Sequence, residues 1–305
     1  MRTNMNPEYI LRLESDEKVE LSTLSLDELY LLHFEEEKYA AKKIKELPPF
    51  SESRKDYFKK AYEDINKIKM AIRAITGNTN NRHSKANACN IIERIANKIK
   101  KEKITVLELG CGTGTLLKSL SEKKSFELYG CDIQETADIN NVTIYNGTIY
   151  ETLKKFTDNA IDIIIADNVC EHFLKDEADE IYNLISKKLN KNGYCIFFIP
   201  NILIGPSDIS KRFIKYKELP LGFHYMEQTY SDNITLFNSH QLKTAYLYMS
   251  VRYKRIILKN ILNIPDKIKI WLEKIIDKAF ANASKEKRKH IFLEYGYNIY
   301  ILEHK

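Results

Sequence analysis

The chain has 305 residues, long for one compact domain and suited to one enlarged domain or a domain with an appendage. Hydrophobic residues make up 44% and charged residues 30%, so a sizeable core can be buried and a mainly disordered chain is excluded. A net charge of +6 excludes a histone-like polycation but leaves acidic small substrates open, and only 10 glycines and 7 prolines exclude collagen-like and linker-like sequence.

Residues 1–38 carry four basic and ten acidic side chains, which leaves the rest of the chain strongly basic. Ser25-Leu26-Asp27-Glu28 is a capping-box pattern, in which the serine hydroxyl accepts from the third helical amide while the glutamate reaches back. Leu29, Leu32, Tyr39, Ile44 and Leu47 then form an apolar stripe that Pro48-Pro49 ends. A second helix starts near Ser53, with Phe58, Ala61, Tyr62, Ile65, Ile68, Ile72 and Ile75 at helical spacing and Gly77 as a left-handed stop. Residues 77–83 are the best loop or domain boundary. Beyond them a helical stretch over 88–99 leads to β-rich runs at 104–109, 126–131, 142–145, 161–166 and 194–199, separated by helical segments. That alternation predicts a parallel sheet with helices on both faces. Two further strands are expected at 253–258 and 297–302, with a long helical insertion at 262–292 between them.

The sharpest signal is Val106-Leu107-Glu108-Leu109-Gly110-Cys111-Gly112-Thr113-Gly114. A buried strand ends in three alternating glycines, where the backbone turns tightly and a ligand can approach amides with no Cβ in the way. A dinucleotide fingerprint would need glycine at 115 or 117, and Thr115 and Leu117 stand there. Asp132, at the end of the next strand, follows Gly112 by 20 residues, the place for an acid that meets ribose hydroxyls. Two strand-end carboxylates, Glu108 and Asp132, around a glycine turn suit an adenosine with a cationic tail.

With these residues the chain resembles the class I S-adenosylmethionine-dependent methyltransferases. The likeness extends through Asn146-Gly147-Thr148-Ile149 after the third strand, 162–172 along and after the fourth, and 184–201 through the fifth. Glu171-His172 after the fourth strand is similar to a bacterial subgroup acting on small molecules, as are 205–210 and Gly222-Phe223-His224. Coverage is residues 84–260 and the last strand; 1–80 and 262–292 match nothing in the family. The resemblance implies a Rossmann-like, seven-stranded, mostly parallel α/β sheet as a domain over 84–305, with residues 1–83 as a helical N-terminal extension. It implies S-adenosyl-L-methionine as cofactor. Glu108, Leu109, Gly110, Cys111, Gly112 and Gly114 would form the turn around it, and Asp132 and Ile133 would lie at its ribose. Gly147, Thr148 and Ile149 would lie at its adenine, and Asp167 and Asn168 would face its methionine part.

Methyl transfer from a sulfonium is an in-line displacement with a good leaving group, so the protein must align the nucleophile and remove its proton where it is a hydroxyl. The segment Ala166-Asp167-Asn168-Val169-Cys170 lacks the Asn/Asp-Pro-Pro-Tyr pattern of families that methylate exocyclic or amide nitrogen, and the Pro-Cys of cytosine C5 enzymes. Oxygen is therefore the favoured nucleophile, with small amines open. His172 is the leading base, since imidazole titrates near neutrality, and Glu171 would orient it; a helix-capping role for His172 carries equal weight. His224 is the second candidate and Asp208 the third, with a helix cap the favoured reading for Asp208. The remaining histidines offer no paired ligand spacing, so no metal is expected.

Five cysteines without a Cys-x-x-Cys pair point to neither a disulfide framework nor a zinc knuckle. No run approaches the roughly 18 apolar residues of a membrane span, and the N-terminus leads into Glu-rich sequence rather than an apolar signal core. The expectation is a soluble cytoplasmic enzyme without stable membrane insertion and with no nucleic acid as partner. Its acceptor would be a small molecule, with an anionic one open: a sugar hydroxyl or a phosphate-bearing precursor of a bacterial surface polysaccharide. A quinone precursor, a lipid or a macromolecule is the alternative acceptor, and a non-catalytic cofactor-binding scaffold the alternative of another class. A homodimer stays open. Residues 252–290 carry twelve Lys/Arg and four Asp/Glu around an apolar face of Ile268, Trp271, Leu272, Ile275 and Ile276. That helix either packs by this face, presents cations to a phosphorylated substrate as a lid, or docks on an anionic membrane surface.

Overall fold

A computed structural model describes residues 9–77, 82–215, 218–253, 256–262, 265–280, 283–284, 286–287 and 299–304. The chain divides into two compact units, Met1–Arg82 with Pro206–Tyr225, and His83–Gly205 with Met226–Lys305.

The first unit begins with a hairpin, β1 (Tyr9–Leu11) and β2 (Lys18–Glu20), followed by helices α1 (Leu26–Glu46) and α2 (Glu52–Thr76). The expected capping box is present: the Ser25 hydroxyl accepts from Glu28 N–H and the Glu28 carboxylate accepts from Ser25 N–H. Gly77 ends α2 at φ 65°, its N–H donating to Arg73 O. Ile10, Leu21, Leu29, Leu32, Ile68 and Ile72 close a small core between hairpin and helices. Buried Glu37 of α1 fixes the later segment of this unit, accepting from His33 Nε2 at 2.9 Å and from the Phe223 N–H at 3.1 Å. A Cβ at Gly222 would meet the Glu37 and Asp208 carboxylates, so a larger residue there would have to displace them. Phe223 packs against Phe58 and Tyr62 of α2 at ring distances of 5.3 and 6.0 Å.

The second unit opens with α3 (Arg82–Ala96), β3 (Ile104–Leu109), α4 (Thr115–Leu120), β4 (Phe126–Asp132), β5 (Val142–Asn146), α5 (Ile149–Leu153) and β6 (Ile161–Asp167). It continues with α6 (Lys175–Lys188), β7 (Leu189–Phe198), α7 (Tyr230–Ser239), β8 (Leu242–Tyr253), β9 (Ile256–Leu262), α8 (Asp266–Phe280) and β10 (Ile299–His304). The sheet order is β5-β4-β3-β6-β7-β10-β8-β9. The strands from β5 to β7 are parallel, and β10 runs antiparallel between β7 and β8. These seven strands are the expected Rossmann-like sheet, and β9 extends its edge as an eighth. One face buries Val106, Ile163, Ile165 and Ile196 against Ile91, Ile92 and Ile95 of α3 and Leu116, Leu117 and Leu120 of α4. Alternation along the strands sends Leu107, Ile164 and Phe197 to the other face. There Tyr182 of α6 meets Phe197 and Phe237 of α7 at ring distances of 6.4 and 5.5 Å.

Two expectations for the C-terminal region change. The strand expected at 253–258 is divided between two: Tyr253 ends β8 and Ile256–Leu258 opens β9, which pairs antiparallel with β8, and 254–255 lie outside the described residues. The sequence from 253 to 258 holds no Gly, Pro or Asn to signal a break, which is why it reads as one strand. Of the readings for α8, the helix of the insertion, packing by the whole apolar face is not what is seen, although Leu272 and Ile276 of that face are half-buried. Ile268, Trp271 and Ile275 are 48%, 60% and 45% exposed, while Lys269, Glu273 and Phe280 are buried. Glu273 decides this orientation: its carboxylate accepts from the Tyr230 and Ser231 N–H groups opening α7, at 2.6 and 3.0 Å, and from Asn201 Nδ2 at 3.1 Å. Residues 263–264, 281–282, 285 and 288–292 of the insertion, 78–81 of the expected boundary loop and 297–298 of the last expected strand fall outside the described residues.

Burial pushes the Glu37 carboxyl up, but the His33 hydrogen bond, the Lys69 cation and the Phe223 amide outweigh it and hold its pKa at about 2. Burial lowers the His33 pKa, opposed by the hydrogen bond to Glu37 and its charge. A depressed carboxylate pKa contributes stability that is present above the unfolded value and lost as pH falls toward the folded one. The stability difference between the parent and Glu37→Gln, measured by urea unfolding, should be about 3 kcal/mol near neutrality and shrink as pH drops below about 4.5. A difference that does not change with pH would remove Glu37 as a buried anion.

Candidate active site

Between β3 and β6 the strand order reverses, and open α/β sheets bind ligands at the carboxyl edge of such a switch point. β3 ends there at Leu109, and the glycine turn follows. Gly110, Gly112 and Gly114 have φ of 65°, 55° and 66°, in the left-handed region that side chains disfavour. At Gly110 a Cβ would also strike Val169 after β6, so the turn and that segment lie in contact. At Gly112 nothing lies within 4 Å of where a Cβ would stand. Backbone conformation demands glycine there, and open space adjoins it.

Asp132, at the end of β4, holds this turn. Its Oδ2 accepts the Gly112 N–H at 2.7 Å and its Oδ1 accepts the Gln134 N–H at 2.9 Å. Each oxygen keeps a further lone pair for a ligand hydroxyl. The Cys111 N–H donates to Cys131 O at 2.9 Å, tying the turn to β4 a second time. Ile133, half-buried, follows Asp132. The Gly147 N–H donates to Asp132 O at 2.9 Å, which brings the segment after β5 to the same edge. Thr148 then caps α5 in a capping box with Glu151, and Ile149 is its first helical residue. Asp167 ends β6 and accepts from Asn168 Nδ2 at 2.7 Å; Asn168 sits at φ 57°.

Glu108, Cys111 and Glu171 are buried. Burial, with Glu108 nearby, pushes the Cys111 thiol up to about 12. Cys170 is driven upward as well, by burial and then by Glu171, so both thiols stay protonated. His172 is half-buried and closes a 3-10 turn over Cys170–His172, its N–H donating to Val169 O at 2.9 Å. The N-cap of α6 is Leu174, two residues on, with no side-chain cap. The Glu171 carbonyl accepts the Met226 N–H at 2.9 Å. His224 belongs to the first unit, where its Nδ1 lies 3.0 Å from Ser207 Oγ. Asp208 is the expected cap, accepting from Ser210 N–H at 2.9 Å and from Gly222 N–H at 3.1 Å.

Sequence reasoning missed Thr136, whose hydroxyl donates to Gly112 O at 2.7 Å and lies 3.8 Å from Cys111 Sγ. It also missed Val169, the neighbour that enforces glycine at 110. Neither position has a spacing rule that would mark it.

A family model described as a methyltransferase domain matches residues 81–246, more than half of the chain. The chain belongs to this family. It is a class I methyltransferase, and its methyl donor is S-adenosylmethionine. No curated protein matches the chain. Among solved structures it is similar to an S-adenosylmethionine-dependent methyltransferase from Archaeoglobus fulgidus. The identity is 17% and the TM-score 0.43, over 72% of this chain and 92% of that one. It is also similar to the 1,6-didemethyltoxoflavin-N1-methyltransferase of Burkholderia thailandensis with bound 1,6-didemethyltoxoflavin and S-adenosylhomocysteine. Here identity is 13% and the TM-score 0.46, over 68% of this chain and 84% of that one.

In this methyltransferase, Asp132→Ala should weaken S-adenosylmethionine binding on the order of tenfold to a hundredfold by titration calorimetry, since it removes a charged acceptor and releases the Gly112 amide. Affinity equal to the parent's would mean that Asp132 neither meets the cofactor nor shapes its turn.

Proposed function

We propose that the enzyme methylates a hydroxyl of a small molecule, with a sugar or phosphate-bearing precursor of a bacterial surface polysaccharide as the acceptor class. The observation that carries an oxygen acceptor is the segment after β6. It offers Asp167-Asn168-Val169-Cys170 in place of the Asn/Asp-Pro-Pro-Tyr of nitrogen methylation, and its one nucleophile, Cys170, is a buried, protonated thiol. We read residues 84–305 as the methyltransferase domain and 1–83 as an accessory unit, consistent with a family match that starts at residue 81.

The residues at the switch point fit S-adenosylmethionine. Gly112 adjoins open space, Asp132 has acceptor capacity beside it, and 147–149 and 167–168 flank the same edge. In our reading Asp132 holds the ribose, Gly147, Thr148 and Ile149 border the adenine, and Asp167 and Asn168 face the methionine part. Leu109, Gly110, Cys111 and Gly114 shape the turn, with Glu108 beneath it. When bound, the cofactor supplies an electrophilic methyl group on a sulfonium. The protein's share is to hold the acceptor hydroxyl in line, worth about 7–11 kcal/mol at best, and to take its proton. His172 is our base, half-buried on a turn that follows β6 directly, with Glu171 orienting it and His224 as the second candidate.

A panel of sugar, sugar-phosphate, phenol and amine acceptors tests the reading, with S-adenosylhomocysteine release as the signal. Turnover with hydroxyl acceptors is expected, and turnover with amines alone would overturn it. With the best acceptor, His172→Ala should lower kcat about 10²–10⁴-fold and leave cofactor affinity within a few-fold of the parent's. Equal kcat in variant and parent would remove the base assignment.

A further inference from the structure

Helix α8 is assembled inside out. Its buried side carries Lys269 and Glu273 beside Phe280, and its solvent side carries Ile268, Trp271 and Ile275. At 3.6 residues per turn, Lys267, Lys274 and Lys278 project within roughly 60° of Trp271, on the same side as the apolar residues. All three lysines are exposed. The acids of the helix lie elsewhere: Glu273 is buried, and Asp266 and Asp277 are half-buried. The solvent side is therefore a strip of large apolar side chains alongside a strip of cations.

We propose that this face of α8 docks the enzyme on an anionic lipid bilayer surface, lying in the plane of the headgroups without crossing. The chemistry of the face selects that occupant. An interfacial helix needs apolar side chains that reach the acyl boundary, and an indole suits that depth. It also needs lysines that meet lipid phosphates at the same level. A second copy of the chain seated on the same face would set lysines against lysines, a like-charge contact that a two-fold interface repeats on both sides. A lid for a soluble anionic substrate would use the lysines but has no use for three exposed apolar side chains. No helix among the described residues is long and apolar enough to cross a membrane, so the contact is peripheral. The sequence after the helix adds Lys285, Lys287, Arg288 and Lys289.

Trp271 is the chain's single tryptophan, so its emission reports this face alone. The full-length enzyme would be titrated with vesicles of phosphatidylcholine mixed with phosphatidylglycerol, and with vesicles of phosphatidylcholine only. Expected are a blue shift and co-sedimentation with the mixed vesicles, quenching by brominated acyl chains, and reversal by high salt. Replacing Lys267, Lys274 and Lys278 with Gln should lower the partition coefficient on the order of a hundredfold. Ile268→Ser with Ile275→Ser keeps the reporter and should also release the protein. Both variants alter solvent-facing positions, and S-adenosylmethionine affinity equal to the parent's certifies their fold. Unchanged emission with the protein left in the supernatant would overturn the proposal. So would variants that bind vesicles as the parent does. Emission already blue-shifted and shielded from acrylamide without vesicles would overturn it too, with a concentration-dependent dimer identifying a second copy as the occupant and a monomer identifying the chain's own cover.

Discussion

The hydrogen bond from the Gly112 amide to the Asp132 carboxylate organises the catalytic edge of this enzyme. A turn with three left-handed residues is costly to order, because glycine loses the most backbone freedom on folding. Here that cost is met within the protein. Asp132 and Cys131 of β4 hold the turn from one side, Thr136 holds the Gly112 carbonyl, and Val169 closes against Gly110. A turn fixed before ligand arrives leaves less ordering to be paid at binding, and binding free energy is retained for alignment. The acid we propose for the ribose is thus also the acid that builds the turn. A loss of cofactor affinity on removing it measures both roles together.

Much of the fold in both units was legible because its signals are local. The strand expected at 104–109 matches β3, and the capping box at Ser25 and the stop at Gly77 stand where short-range rules put them. The glycine turn with an acid twenty residues on is likewise a pattern of spacing, and the structure brings those residues to one edge. What escaped depends on contacts between distant positions. Glu37 and the Phe223 amide are 186 residues apart, and nothing near either foretells the bond. Thr136 acts through a hydroxyl on a carbonyl, a contact open to any serine or threonine. Neither glycine nor proline stands between β8 and β9 over 253–258, so the chain offers no punctuation to read.

Helix α8 misled for a different reason. Periodicity identifies which residues share a face, and the face of Ile268, Trp271 and Ile275 is real. Periodicity does not say which face turns inward. The orientation is set by one carboxylate with three donors waiting for it: two amides at the start of α7, which no residue within that helix can satisfy, and the side chain of fully buried Asn201. A buried carboxylate that lost such donors would cost several kcal/mol, more than fully burying one leucine-sized side chain returns. The polar contact therefore wins, and the apolar strip is left over on the outside. A helix with no other task would lose little by exchanging Trp271 and Ile275 for polar residues, since they stand 60% and 45% exposed. Their presence beside three exposed lysines is better explained by a second solvent than by the fold.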